Sequence, residues 1–346
     1  MNRLFAFRSK TGLFSFLVHK KTVATFVALC VILIVGFVFS NVVGNKIVLP
    51  ADVLKTMLGM GTPEHDLVIG TLRLPRAIVA VLVGAALSVS GALLQGIVRN
   101  PLASPDIIGI TGGAAFAAVA FITYLAGSVS IKWLPVAAFL GAALVSLVIY
   151  WLAWNKGVSS TRLVLIGIGV AAATSALTML MIILSPITAA SRAYIWMTGS
   201  IYGASWEQVY TLLPWVLIFL PLAILYSRNL NVQELGDDLA KGLGDSVQRH
   251  RFILLFISVA LAGSAVAVAG AIGFVGLIAP HMARKLVGPA YGGLLPVAAL
   301  IGSLMLLAAD TIARTAFIPL DIPAGVFTAG VGAPFFIYLL YKNRHA

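Results

Sequence analysis

Apolar positions in this chain fall in uninterrupted runs of roughly twenty residues, not in the spacing of three and four or of two that marks soluble helices and strands. The runs lie near 22–40, 76–98, 109–126, 133–154, 163–184, 208–227, 250–270, 271–285, 292–313 and 322–341. Most match the length an α-helix needs to cross about 30 Å of hydrocarbon. The pattern predicts an all-α polytopic membrane protein of about ten transmembrane helices. Alternating strands of about ten residues, the sign of a membrane barrel, are missing from the sequence, so helices must satisfy the backbone. The hardest division is Phe252 to Pro280, which as one helix would run about 43 Å. Gly270, Gly273, Gly276 and Pro280 offer turns, and two helices are expected there. No linker or low-complexity tract interrupts the chain, so residues 1–346 are expected to form a single transmembrane domain. The polar segments Asn41–Pro75 and Ser185–Glu207 have room for short helices and for an external docking surface.

Composition agrees with the pattern: 60% of residues are hydrophobic and 10% charged, against about 25% charged in soluble domains. The net charge of +12 would suit nucleic acid, but the basic residues stand singly or in twos between apolar runs, so no phosphate-binding patch forms and no nucleic-acid partner is expected. Their distribution instead orients the chain. With ten helices and both termini cytoplasmic, sixteen Lys and Arg fall on the inner side, among them Arg3, Arg8, Lys10, Lys20, Lys21, Arg284, Lys285, Lys342 and Arg344. The outer side holds the other seven: Lys46, Lys55, Arg73, Arg76, Lys132, Arg192 and Arg314. The first apolar run is too long for a signal sequence and no small-residue cleavage site follows it, so it is read as a retained helix. Cys30 is the one cysteine and permits no internal disulfide.

Candidate chemistry is sparse. No G-x-x-x-x-G-K-[ST] string occurs, so the chain carries no phosphate cradle and any energy must come from a gradient or a partner. The Gly167-Ile-Gly169-Val-Ala-Ala172 string lies within an apolar run and lacks the strand a dinucleotide fold requires. His19, His65, His250, His281 and His345 never pair at a spacing of four, so neither a metal nor a cofactor site is indicated. Apart from Asp310, near the outer end of the ninth run, the acids avoid the apolar segments, which disfavours a proton-coupled carrier or an intramembrane enzyme. Gly84, Ser88, Gly91 and Gln95 share one face of the second run and read as a helix-packing stripe, with Gln95 able to hydrogen-bond across helices. Gly167, Ala171, Ser175 and Thr178 on the fifth run, and Gly325, Ala329 and Ala333 on the tenth, repeat that spacing. Such stripes suit either a tight interface or the wall of a pore for a bulky solute.

The loop from Leu230 to Arg251 concentrates Glu234, Asp237, Asp238 and Asp245. Val232, Leu235, Leu239, Leu243 and Val247 recur at three or four, the mark of an amphipathic helix. Helices that lie in the lipid interface favour Lys and Arg on the polar face, so an acidic face points to docking into another protein.

Arg73-Leu-Pro-Arg76, Gly91-Ala-Leu-Leu-Gln95, Asn100-Pro-Leu-Ala-Ser-Pro-Asp106 with Gly109, Trp196-Met-Thr-Gly-Ser200, Leu235-Gly-Asp-Asp-Leu-Ala-Lys-Gly-Leu-Gly244, Gly273-Phe-Val-Gly-Leu-Ile-Ala-Pro-His281 and Ile322-Pro-Ala-Gly325 to Gly332-Ala-Pro-Phe335 occur in one ordered set. Together they resemble the FecCD family of permeases, which serves ferric-siderophore, cobalamin and haem importers. The resemblance implies a ten-helix subunit that pairs with a copy of itself or a paralogue, a cytoplasmic ATPase dimer and an extracytoplasmic siderophore-binding protein. It assigns coupling to the ATPase to about 231–247, with Leu235, Gly236, Asp237, Asp238, Leu239, Ala240, Leu243 and Gly244 at its centre. It assigns the translocation pathway to the fifth and tenth helices through Gly167, Ala171, Ser175, Thr178, Gly325, Ala329 and Ala333. Docking of the binding protein falls to Arg73, Arg76 and Arg314, although Asp310, one turn before Arg314, also offers a simple i, i+4 pair. Ferric siderophore is the expected cargo, with cobalamin or haem as alternatives.

Overall fold

The computed structural model describes residues 4–8, 15–44, 46–106, 108–126 and 128–342. Arg3, Lys10, Arg344 and His345 lie outside them. Ten helices of the described residues form the bundle: α1 (Lys20–Val42), α2 (Leu74–Val98), α3 (Ile110–Ala120), α4 (Leu134–Leu152), α5 (Ser160–Leu184), α6 (Trp206–Leu225), α7 (Val247–Ala269), α8 (Val275–Val287), α9 (Tyr291–Thr315) and α10 (Ala324–Lys342). Leu4–Arg8 and Ser15–His19 pair as a short antiparallel ribbon ahead of α1.

Local chemistry sets several boundaries. Ser159 caps α5 by accepting from the Arg162 N–H, and Ser205 with Gln208 forms a capping box at α6. The outer segments hold helices as expected: Pro50–Met57, Ile187–Thr198 and a π-helical stretch, Asp66–Arg73, that runs into α2.

α2 is the axis of the bundle, with 83% of its apolar stretch buried against 6% for α1 at the edge. Its small residues serve packing. A Cβ on Gly84 would strike the Gly302 carbonyl of α9, and one on Gly91 would strike the Gly276 carbonyl of α8. Gln95 donates to the Leu277 carbonyl at 3.4 Å and Ser90 meets Ser258 of α7 at 2.8 Å, so weakly polar groups join α2 to its neighbours.

Among the described residues seven helices are long and apolar enough to cross a bilayer, and α3 and α10 are shorter apolar helices. The division between Phe252 and Pro280 occurs at Gly270–Phe274, but α8 has only 13 residues. At 1.5 Å per residue it rises about 20 Å, less than the hydrocarbon thickness. The non-helical residues before it are tolerated because protein surrounds them: Ser200 N–H donates to Ala269 O at 2.8 Å, and Gly325 N–H to Gly199 O at 3.0 Å. Gly270 takes φ +71° where a side chain would meet the Trp196 carbonyl.

The start of α1 and the end of α8 line one cleft, and the charges of Arg284, Lys285 and Lys342 all bear on His281. The first residues of α1 and the last of α10 therefore share a face, as an even number of crossings requires.

Candidate functional site

At one end of the bundle Arg73, Arg76 and Arg314 come together, and each is occupied. Arg76, at the start of α2, donates to both oxygens of Asp310 at 2.8–3.0 Å and to both oxygens of Asp321 at 2.6 and 2.8 Å. Its side chain is 12% exposed and that of Asp310 only 1%. Arg314 donates to the Val43 carbonyl at 2.7 Å, to Ser40 Oγ at 3.1 Å and to the Ser40 carbonyl. Arg73 donates to the carbonyls of Asn41 at 2.8 Å and Val42 at 3.2 Å. These side chains crowd the loop: a Cβ on Gly44 would lie 2.6 Å from Arg73 Nη2 and would displace that guanidinium. The i, i+4 pair of Asp310 with Arg314 exists but is long, 3.9 Å. The dominant partner of Asp310 is Arg76, from a different helix. Asp321, which sequence reasoning did not single out, ties α2 to the segment that begins α10.

At the opposite end the acidic segment folds as Ser227–Glu234 and Asp237–Gly242, broken at Gly236 with φ +108°. Leu235, Leu239 and Leu243 stand outward at a spacing of four, Leu239 with 63% of its surface exposed, while Ala240 is fully buried. The acids mostly point the other way. Asp237 pairs with Arg99 at 2.8 Å and Arg251 at 2.9 Å; Glu234 pairs with Arg284 at 3.4 Å and accepts from Tyr291 at 2.9 Å. Asp245 accepts from Asn229 at 2.9 Å and Gln233 at 3.2 Å and lies 2.6 Å from His250 Nδ1. Of the four acids only Asp238 is fully open. Thus the acidic face is largely a tether, and the leucines form the outward ridge. Burial works to raise the Asp237 carboxyl, but the Arg251 hydrogen bond and the charges of Arg251, Arg99 and Lys241 outweigh it and hold the group below its ordinary value.

The two small-residue stripes sit at the edge between packed and open surface. On α5, Gly167 and Thr178 are buried, Ala171 is half-buried and Ser175 is exposed; on α10, Gly325 is buried, Ala329 half-buried and Ala333 exposed. Gly325 packs on the end of Ile187–Thr198, where a Cβ would strike the Thr198 carbonyl. α5 packs mainly on α3 and α4, and α10 on α9 and α8.

Residues 32–342 match the FecCD transport family. The chain is 49% identical over 333 residues to "Probable siderophore transport system permease protein YfhA" of Bacillus subtilis, covering 95% of this chain and 97% of that one. It is 47% identical to the achromobactin transport system permease protein CbrC of Dickeya dadantii, covering 97% and 96%. A solved inward-facing structure of a protein described as a metal-chelate type ABC transporter superposes with a TM-score of 0.83 at 32% identity, covering 92% of this chain and 98% of that chain.

Proposed function

Since the chain belongs to the FecCD transport family, we propose that it is the permease subunit of an ATP-driven importer that carries ferric siderophores across the cytoplasmic membrane. The observation that carries the reading is the exposed ridge of Leu235, Leu239 and Leu243, held rigid from behind by Asp237 with Arg99 and Arg251. Apolar side chains aimed into water next to a membrane call for a protein groove, and a cytoplasmic ATPase dimer is the partner that supplies one. Siderophore as cargo is supported by the near full-length likeness to permeases named for siderophore and achromobactin transport.

The remaining assignments follow from placement. The ends that carry Lys20, Arg99, Arg284 and Lys342 face the cytoplasm under the positive-inside bias, so both termini are cytoplasmic and the arginine cluster faces outward. There the three arginines outnumber Asp310 and Asp321 by one charge, which favours an acidic surface on an extracytoplasmic binding protein. The contact is made through the field of the cluster and the small exposed part of each guanidinium. Because Ser175 and Ala333 are left exposed on their stripes, a pathway closed around them calls for a second permease subunit. Uptake of labelled ferric siderophore in cells whose proton gradient is collapsed but whose ATP is maintained tests the reading; transport that stops under those conditions would refute it.

A further inference from the structure

The inner end of the bundle holds a cleft that the coupling ridge and the pathway faces do not use. Its volume is about 470 Å³, and His19–Thr22 at the start of α1 and Arg284–Gly288 at the end of α8 form its walls. Lys20, Lys21, Arg284 and Lys285, with His19, line it, and among the described residues no acidic one does. Arg284 is partnered by Glu234 and Tyr291. Lys21 and Lys285 are exposed. The positive end of α1 adds to the field, for His19 makes no side-chain cap and the first turn contains no acid. Cations from two distant segments gathered around one space raise a local potential that an anion relieves.

The surface below the cations selects the anion. One turn deeper than Thr22 on the same face of α1 stands Phe26, and one turn deeper than Leu286 on α8 stands Met282; both are exposed. Little of α1 is covered by the protein, so this apolar surface faces hydrocarbon. Headgroup-level cations thus stand above exposed apolar side chains on both helices. We propose that the cleft binds the headgroup phosphate of one anionic phospholipid of the inner leaflet, whose acyl chains lie along α1 and α8. A soluble phosphate would leave the apolar part unused, and an acidic protein would not reach below the headgroups. Bound there, the lipid bridges the most peripheral helix to the half-helix beside the Glu234 tether.

Native mass spectrometry of the purified full chain, equilibrated with mixed micelles of phosphatidylglycerol and phosphatidylcholine, tests the site. The wild-type chain should retain one phosphatidylglycerol in preference to phosphatidylcholine. K21Q with K285Q should lower that retention about thirty-fold, the combined effect of two surface cations on an anionic lipid. The paired control K55Q with K132Q, on the outer side, should leave it unchanged. Retention by K21Q/K285Q equal to wild type would mean ordinary annular lipid and overturn the proposal. Displacement by deacylated glycerophosphoglycerol at the same concentration as intact lipid would identify a soluble-phosphate site instead. Unaltered lipid retention with loss of the co-purifying ATPase would identify a protein-docking surface, and either result rejects the lipid.

Discussion

Deleting the Arg76 guanidinium separates a structural clamp from a docking contact. In R76A, Asp310 keeps a side chain that is 1% exposed and loses the cation that meets both its oxygens at 2.8–3.0 Å. The next cation, Arg314, lies 3.9 Å away and already donates to Val43 and Ser40. Removing one partner of a buried ion pair costs about 3–5 kcal/mol; the nearby Arg314 charge places R76A toward the lower end. The second mutation D310N removes the more buried of the two charges that R76A strands, Asp321 being 23% exposed, so R76A/D310N should recover much of the loss, with a coupling of about 0.5–3 kcal/mol in the double-mutant cycle. SDS-induced or thermal unfolding of the purified full chain measures all four corners. Wild-type stability in R76A, or strictly additive effects, would refute the clamp. If the cluster also seats the binding protein, the refolded R76A/D310N chain should still capture it less well, and that loss should be sensitive to salt.

The other predictions use single, well-placed side chains. L239D puts a charge on the exposed ridge without disturbing the buried side of the segment, so ATPase co-purification should be lost while the membrane helices remain folded; normal co-purification contradicts the coupling assignment. S175W and A329W should block uptake with assembly intact, whereas G325L should fail to assemble, because its side chain would run into the Thr198 carbonyl; uptake unchanged in both tryptophan variants would return those faces to lipid or packing. Asp237 is held low, so its contribution is present above the unfolded carboxylate pKa and is lost as pH falls through the lower folded value. The inner tether should therefore loosen only in acid, and D237N should loosen it at neutral pH, as read by proteolysis near Gly236; equal protease resistance in D237N and wild type would remove that role.

The sequence by itself determined the number and placement of the helices, because the bilayer forces an apolar length on each crossing and the basic residues mark one side. It also marked Leu235, Leu239 and Leu243, whose spacing of four picks out the three exposed leucines of the loop although the helix breaks at Gly236. Glycines and polar residues of α2 were legible as a packing stripe for the same reason of periodicity.

Only the tertiary structure decided what the charged groups do. Asp237 meets Arg99 and Arg251, and Arg76 meets Asp310 and Asp321, across separations of up to 245 residues. Periodicity reports the face of one helix and not which distant group comes to lie against it. For that reason the acids of the inner loop read as a docking face when most are tethers, and the i, i+4 pair of Asp310 with Arg314 exists at 3.9 Å while the shorter bonds come from Arg76 on a different helix. The shortness of α8 is already visible in its apolar run, 271–285, but what compensates for it is not. Its missing length is made up by Gly270–Phe274, which can leave the helix inside the membrane only because Ser200, Gly199 and Gly325 surround that turn with paired backbone groups.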